Sequence, residues 1–334
     1  MGLIAVAANP ASGRDIRRIV SSATVFNNRE KQNIVERMIL AATQMGEHRF
    51  CIMPETFHFA ERIREHLVDD FHAIPEDAVY TPEHFEVFNN QNDTTRFARY
   101  AEEIGADLLI VLGGDGTSRV AAKGIQQIPL LSVSTGTNNV FPEVVEGTVA
   151  GLAAAVLASK TVKVQECCEP CKRIEIYING EYTDLALVDV VFSGYVYSGA
   201  KAIWSREDIE RVVVTQCHPA AIGFSAIPGN QLIVLPEDPF GAIAECGTGP
   251  ANARVSLAAG SVTPVQITES DKVWEGETMT WKMDRSGMLA LDGEREVTYR
   301  AGDEVTLCIR KNGPLRVNIR KTLELAQQRG FFRN

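Results

Sequence analysis

The chain has 334 residues, 45% of them hydrophobic and 23% charged, which suits a globular protein of two domains at about 100 to 200 residues each. Its 33 Lys and Arg against 43 Asp and Glu leave a net charge of -10, which argues against broad attraction to nucleic acid or an anionic membrane. The N-terminus does not read as a signal peptide, and no run approaches the roughly 20 apolar residues of a spanning helix. Seven cysteines in a chain large enough to need no staples point to reduced thiols and a cytoplasmic location.

Up to about Lys160 short apolar runs alternate with amphipathic ones. "LIAVAAN" (Leu3 to Asn9) reads as a strand buried on both faces. "EKQNIVERMILAATQMG" reads as a helix, with Ile34, Val35, Met38, Ala42 and Met45 at helical spacing and Gly46 as its stop. "RFCIMP" is the next strand, "ETFHFAERIREHL" a helix and "HFEVFN" a strand. "NDTTRFARYAEEIG" is a helix capped by Asn92 or Asp93 and stopped at Gly105. "DLLIVLGG" (strand), "TSRVAAKGIQ" (helix), "IPLLSVST" (strand) and "GTVAGLAAAVLASK" (helix) complete the unit. This alternation predicts an α/β domain over residues 1–160, with right-handed crossovers and a mostly parallel sheet covered on both faces.

After Thr161 the texture becomes β-rich. "RIEIYINGEYTDLALVDVVFSG" places two strands around Asn179-Gly180, a hairpin signal. "WSREDIERVVVTQC" reads as a short helix and "PEDPFGAIAECGTGPANAR" as a loop-rich insertion. From Thr278 the runs "TMTWKMD", "MLALDG", "EVTYRAG", "EVTLCIR" and "LRVNIR" predict antiparallel strands. The second domain is expected over 161–319, and "RKTLELAQQRG" begins a terminal helix over 320–334 that packs back on the first domain.

In a doubly wound sheet, the loops leaving the C-terminal ends of the strands open on one edge, where ligands bind. Three such loops carry small hydroxyls, amides and exposed backbone N–H groups: "NPASGRD" (Asn9 to Asp15), "GGDGTS" (Gly113 to Ser118) and "STGTNN" (Ser134 to Asn139). Singly each is turn chemistry. Together, at equivalent positions, they predict a phosphate site. There is no G-x-x-x-x-G-K-[ST] and no G-x-G-x-x-G after a strand, so neither a P-loop nor a dinucleotide fingerprint is present. Asp115 among the glycines is distinctive, because an anion beside phosphate calls for a cation or a proton-donating hydroxyl between them.

"NPASG", "LGGDGT", "STGTN" and "LALDGERE" (Leu289 to Glu296) resemble the NAD kinase and diacylglycerol or sphingosine kinase superfamily. The nearest likeness is to ATP-NAD-kinase-like proteins of the acetoin-catabolism protein X family, and it runs through "ANPASGRDIRR", "STGTNNVFP", "IGFSAIPG" and "GPLRVNIRKTLELAQQRGFF". The resemblance implies a Rossmann-like N-terminal domain, a β-sandwich C-terminal domain, and a cleft between them that uses ATP and Mg²⁺. Asp115 and Glu294 become the candidate catalytic acids, either serving as base. Asn9, Ser12, Gly13, Gly113, Gly114, Gly116, Thr117, Thr135, Gly136, Thr137 and Asn138 fall on nucleotide phosphate, and Asp292 and Asp189 on the acceptor side. One position departs from the pattern: after Ala186-Leu187, NAD kinases carry Asn before the acid, where this chain has Val188-Asp189. That weakens NAD as acceptor and leaves the donor site untouched.

Arg14, Arg17 and Arg18 beside the first loop are a solvated face or, for Arg14 first, a phosphate contact. Cys167-Cys168-x-x-Cys171 has no second pair at metal spacing, so no protein metal site is assigned to it. No H-E-x-x-H or G-x-S-x-G occurs. His218, before Pro219, reads as structural. The expected activity is ATP- and Mg²⁺-dependent phosphoryl transfer to a hydroxyl, with NAD as default acceptor and NADP as product. The alternatives are a kinase of another small-molecule or lipid hydroxyl, and a non-catalytic nucleotide-binding regulator linked to acetoin catabolism. Small-molecule substrates, a homo-oligomer, and neither nucleic acid nor stable membrane association are expected.

Overall fold

A computed structural model describes residues 1–10, 27–136, 138–194 and 208–333, with only the backbone described at Arg295 and Glu296. Strand and helix alternate first: β1 (Gly2–Ala8), α1 (Asn28–Thr43), β2 (His48–Ile52), α2 (Phe59–Arg64), β3 (Val79–Tyr80), α3 (Gln91–Glu103), β4 (Leu108–Gly113), α4 (Asp115–Ala122), β5 (Leu130–Ser134) and α5 (Gly147–Ala158). The strands pair in parallel in the order β3-β2-β1-β4-β5, the arrangement that opens a ligand crevice at the strands' C-terminal edge. Apolar residues of β1 alternate between two cores. Ile4, Val6 and Ala8 face the side of α1 and α5, and Ala5 and Ala7 the side of Phe97 and Ala101. Helices α1 and α5 lie backbone to backbone, since a Cβ on Gly151 would come within 2.3 Å of the Met38 carbonyl oxygen. That contact requires glycine.

The chain continues through α6 (Val164–Cys167), β6 (Cys168–Pro170), β7 (Arg173–Ile178), β8 (Glu181–Ala186), β9 (Asp189–Ser193), β10 (Ile209–Val214), α7 (Ala226–Gly229), β11 (Phe240–Gly247), β12 (Ala253–Ala258) and β13 (Ser261–Trp274). It ends with β14 (Thr278–Lys282), β15 (Gly287–Leu291), β16 (Glu294–Tyr299), β17 (Glu304–Arg310), β18 (Leu315–Val317) and α8 (Ile319–Gln328). Two antiparallel sheets result, β12-β13-β11-β10-β9-β15-β16 and β14-β17-β7-β8. They enclose a core that includes Ile174, Ile176, Phe192, Leu289, Leu291, Leu307 and Ile309, so the second unit is sandwich-like. Asn179 (φ 52°) and Gly180 (φ 79°) form the left-handed pair that a two-residue hairpin turn needs.

Two strands within residues 161–319, β6 and β18, do not join the sandwich sheets. β18 runs parallel to β5 and antiparallel to β6, so both strands extend the first sheet. Helix α8 lies against α5 and α6. No helix among the described residues is long and apolar enough to cross a membrane.

Several local expectations are corrected. The edge strand is Val79–Tyr80, paired with Phe50 and Cys51, while "HFEVFN" is a loop. Its aromatics are occupied elsewhere: Phe85 packs on Phe97, and Arg96 covers the rings of Phe85 and Phe88. Asn90 caps α3, with Asp93 as the reciprocal acid of a capping box. "IERVVV" is strand β10 between β9 and β11, because its β-branched residues fill a central strand. The Pro- and Gly-rich insertion contains strand β11, whose Gly241 and Gly247 stay paired with β13, and the start of β12.

Candidate active site

The C-terminal edge of the first sheet faces a cavity of about 750 Å³. Asn9 and Pro10 after β1, Glu55 and Phe57 after β2, Asn90 and Asp93 at α3, Gly116 and Thr117 in the first turn of α4, and Glu294 at the start of β16 line it. Both units therefore contribute walls. A Cβ on Gly116 would stand 2.7 Å from the Glu294 carboxyl carbon, so glycine at 116 allows the acid to lie over the helix start. The Glu294 side chain is 50% exposed. The α4 N-terminus brings unsatisfied N–H groups and a positive dipole end to the same wall. Lys31 of α1, fully buried, donates to the Asn9 carbonyl oxygen at 2.9 Å and so fixes the end of β1.

Asp115 does not face phosphate bare. Its Oδ1 accepts N–H bonds from Val140 at 3.0 Å and Phe141 at 2.8 Å, and the residue is buried. The anion that made the glycine loop puzzling thus holds the "STGTNN" segment against α4. Asn139 adds a bond from Nδ2 to Ser134 Oγ at 2.8 Å, and Thr135 N–H donates to the Gly113 carbonyl oxygen at 3.1 Å.

Asp292 occupies the turn before β16 at φ 50°. Its carboxylate accepts from the N–H groups of Leu187 (2.8 Å), Val188 (2.7 Å) and Asp189 (3.0 Å), so it ties the β15–β16 turn to the start of β9. Burial pushes the Asp292 carboxyl up from the ordinary carboxylate range, against the opposing pull of Arg119 and the three N–H donors. Glu55 is likewise pushed up by burial while it accepts from Phe57 and Phe59 N–H at the α2 start.

Of the residues singled out in the sequence, Asn9, Gly116, Thr117 and Glu294 share the cavity. Gly113 and Gly114 form the turn beneath it, and Gly136 and Asn138 belong to the loop that Asp115 holds. Thr135 is 1% exposed and forms part of that loop's support. Asp189 is buried at the head of β9; its N–H donates to the Asp292 carboxylate and its carbonyl oxygen accepts from the Asp292 N–H. Ser12, Gly13, Arg14, Arg17, Arg18 and Thr137 lie outside the described residues. Cys167 and Cys168 are buried, with their sulfurs 3.8 Å apart.

Arg119 was not singled out. It sits on α4, fully buried, with Nη1 3.3 Å from Asp184 Oδ2, Nε 3.9 Å from Asp292 and Nη2 3.7 Å from Glu294. One guanidinium thereby joins the glycine-loop helix to three acids of the sandwich unit. Its sequence signal was weak, a single basic residue in a helix of otherwise small and apolar residues.

The cavity's donor set can be matched to Mg²⁺. Glu55 and Asp93 accept from backbone N–H groups, and Glu294, half-exposed, also lies 3.7 Å from the Arg119 guanidinium. Among the described residues no group of three His, Cys, Asp or Glu is placed to hold a metal. One carboxylate fits an ion bound chiefly by substrate phosphates and water, the usual habit of Mg²⁺.

A model described as the ATP-NAD kinase N-terminal domain matches residues 17–161, and one described as the acetoin catabolism protein X C-terminal domain matches 172–312. Among solved structures, yeast NADH kinase complexed with NADH covers 98% of this chain and 87% of its own at 16% identity and a TM-score of 0.54. A putative diacylglycerol kinase from Bacillus anthracis covers 94% and 96% at 12% identity and a TM-score of 0.51. At those identities the likeness is one of fold, and the fold is NAD-kinase-like. Acetoin catabolism protein X of Cupriavidus necator is 32% identical over 316 residues, 92% of this chain and 87% of the relative. The chain therefore belongs to the acetoin catabolism protein X family.

Proposed function

We propose that the protein transfers the γ-phosphoryl group of ATP to a hydroxyl acceptor in the cavity between its two units. The observation that carries this is the meeting of the α4 N-terminus, at Gly116 and Thr117, with the half-exposed Glu294 across one cavity wall. The helix start and Asn9 bind donor phosphate through N–H groups and amide. Glu294 accepts the proton of the attacking hydroxyl. Asp115, with its oxygens on Val140 and Phe141, positions the third loop. Phosphoryl transfer passes through a loose transition state, so alignment and charge neutralisation carry most of the catalysis. Mg²⁺ bound to the phosphates would supply part of that neutralisation.

The acceptor reading follows from position 188. Val188 is fully buried in the apolar core of the first unit, so its side chain offers an acceptor no hydrogen bond. This supports a hydroxyl compound other than NAD. The test is transfer from labelled ATP to NAD, small polyols and lipid micelles, with Glu294→Gln as blank. Transfer to none of the acceptor classes would overturn the kinase reading, and efficient transfer to NAD would overturn the acceptor reading alone.

A further inference from the structure

A second cavity, of about 490 Å³, lies behind the third loop, between β6, β18 and the ends of β9 and β10. Its apolar lining comes from Phe141, Leu187 and Val317, and its cations are Lys172, Lys311 and Arg316. Lys172 is 4% exposed, and its ammonium donates to two neutral carbonyls, Leu235 O at 2.9 Å and Phe240 O at 2.7 Å. Of the three acids lining the cavity, Glu143 is taken up by Arg316 at 3.2 Å and Glu169 by Lys321 at 3.8 Å; Glu237 is exposed. Asp238 and Glu237 act on this ammonium as charges, but the two hydrogen bonds it donates go to neutral carbonyls, so a bound anion would add a direct charged partner.

The lining is joined to both buried motif acids. Phe141 N–H donates to Asp115, and Leu187 N–H donates to Asp292. Thr215, also in the lining, donates from Oγ1 to the Leu187 carbonyl oxygen at 2.7 Å, and Gln216 donates from Nε2 to the Val140 carbonyl oxygen at 3.3 Å. A displacement of Phe141 or Leu187 therefore moves a hydrogen bond of Asp115 or Asp292.

We propose that this second cavity is an effector site for a small organic anion, a carboxylate or phosphate monoester on an aromatic or apolar body. Lys172 and Lys311 hold the anionic group, Phe141 and Leu187 take the body, and occupancy is transmitted to Asp115 and Asp292 through the same two residues. The site is independent of what the main cleft transfers.

Calorimetric titration of the full chain with benzoate and with phenyl phosphate tests it and separates the two anion sources. At least one probe is expected to bind with one-to-one stoichiometry, weakened about tenfold or more in Lys172→Met and unchanged in Thr117→Val, a difference of about 1.4 kcal/mol. Lys311→Gln, at the rim, is expected to weaken the same probe and carries the test if Lys172→Met does not fold. Burial lowers the Lys172 ammonium to about 8, with Asp238, Glu237, Lys311 and Cys217 the charged and titratable groups acting on it, so affinity falls as pH rises through that value. Binding should also slow amide exchange at Val140, Phe141 and Leu187. No binding of either probe, affinity unchanged in both lysine variants, affinity lost in Thr117→Val, or unaltered exchange at those amides would each overturn the proposal.

Discussion

Arg119 Nε lies 3.9 Å from Asp292 Oδ2 with both side chains fully buried, so the helix of the glycine loop and the turn before β16 are joined by one ion pair. Removing one partner of a buried pair leaves an uncompensated charge. Arg119→Met is expected to lose about 3–5 kcal/mol of stability, as measured by urea denaturation. A loss below about 1 kcal/mol would mean that this pair does not hold the two units together.

Asp115→Ala strands the N–H groups of Val140 and Phe141. A cost of about 1–3 kcal/mol is expected, with faster amide exchange at 140 and 141. Unchanged exchange there would remove the positioning role of this carboxylate.

Glu294→Gln keeps the shape of a half-exposed side chain while abolishing its basicity. Steady-state kinetics should show kcat lower by about 10² to 10⁴ with little change in KM for ATP. Equal losses in kcat/KM and ATP affinity would instead assign Glu294 to donor binding.

Lys172 makes stability depend on pH with a defined sign. Burial lowers its ammonium from 10.5 to about 8, so between those values the unfolded chain binds a proton that the native chain does not. Stability from this group therefore rises with pH across that window and is flat below it. Denaturation midpoints followed from neutral to alkaline pH should show the rise in wild type relative to Lys172→Met. Parallel curves would refute the assignment.

The apolar runs and glycine stops of the first 160 residues are strong local signals, and β1, β2, β4 and β5 with their helices follow them. "HFEVFN" misled because alternation alone does not reveal that Arg96 and Phe97 claim its rings. "IERVVV" misled because the run by itself does not show that its charged residues, Glu210 and Arg211, find Arg285 and Glu245 as partners on neighbouring segments, with Arg211 also lying over the rings of Phe192 and Trp281.

By itself the sequence determined the α/β-plus-sandwich architecture and the likeness to a kinase superfamily, because periodicity, turn residues and motifs are local properties. Tertiary structure alone decided the work of the acids. Asp115 and Asp292 are engaged by backbone N–H groups from distant segments, while Glu294 stands half-exposed on the cavity. Arg119 likewise acquires its role only when the sandwich unit brings Asp184, Asp292 and Glu294 around α4. A carboxylate's role is set by which donors reach it, and those donors lie up to 105 positions away in the chain.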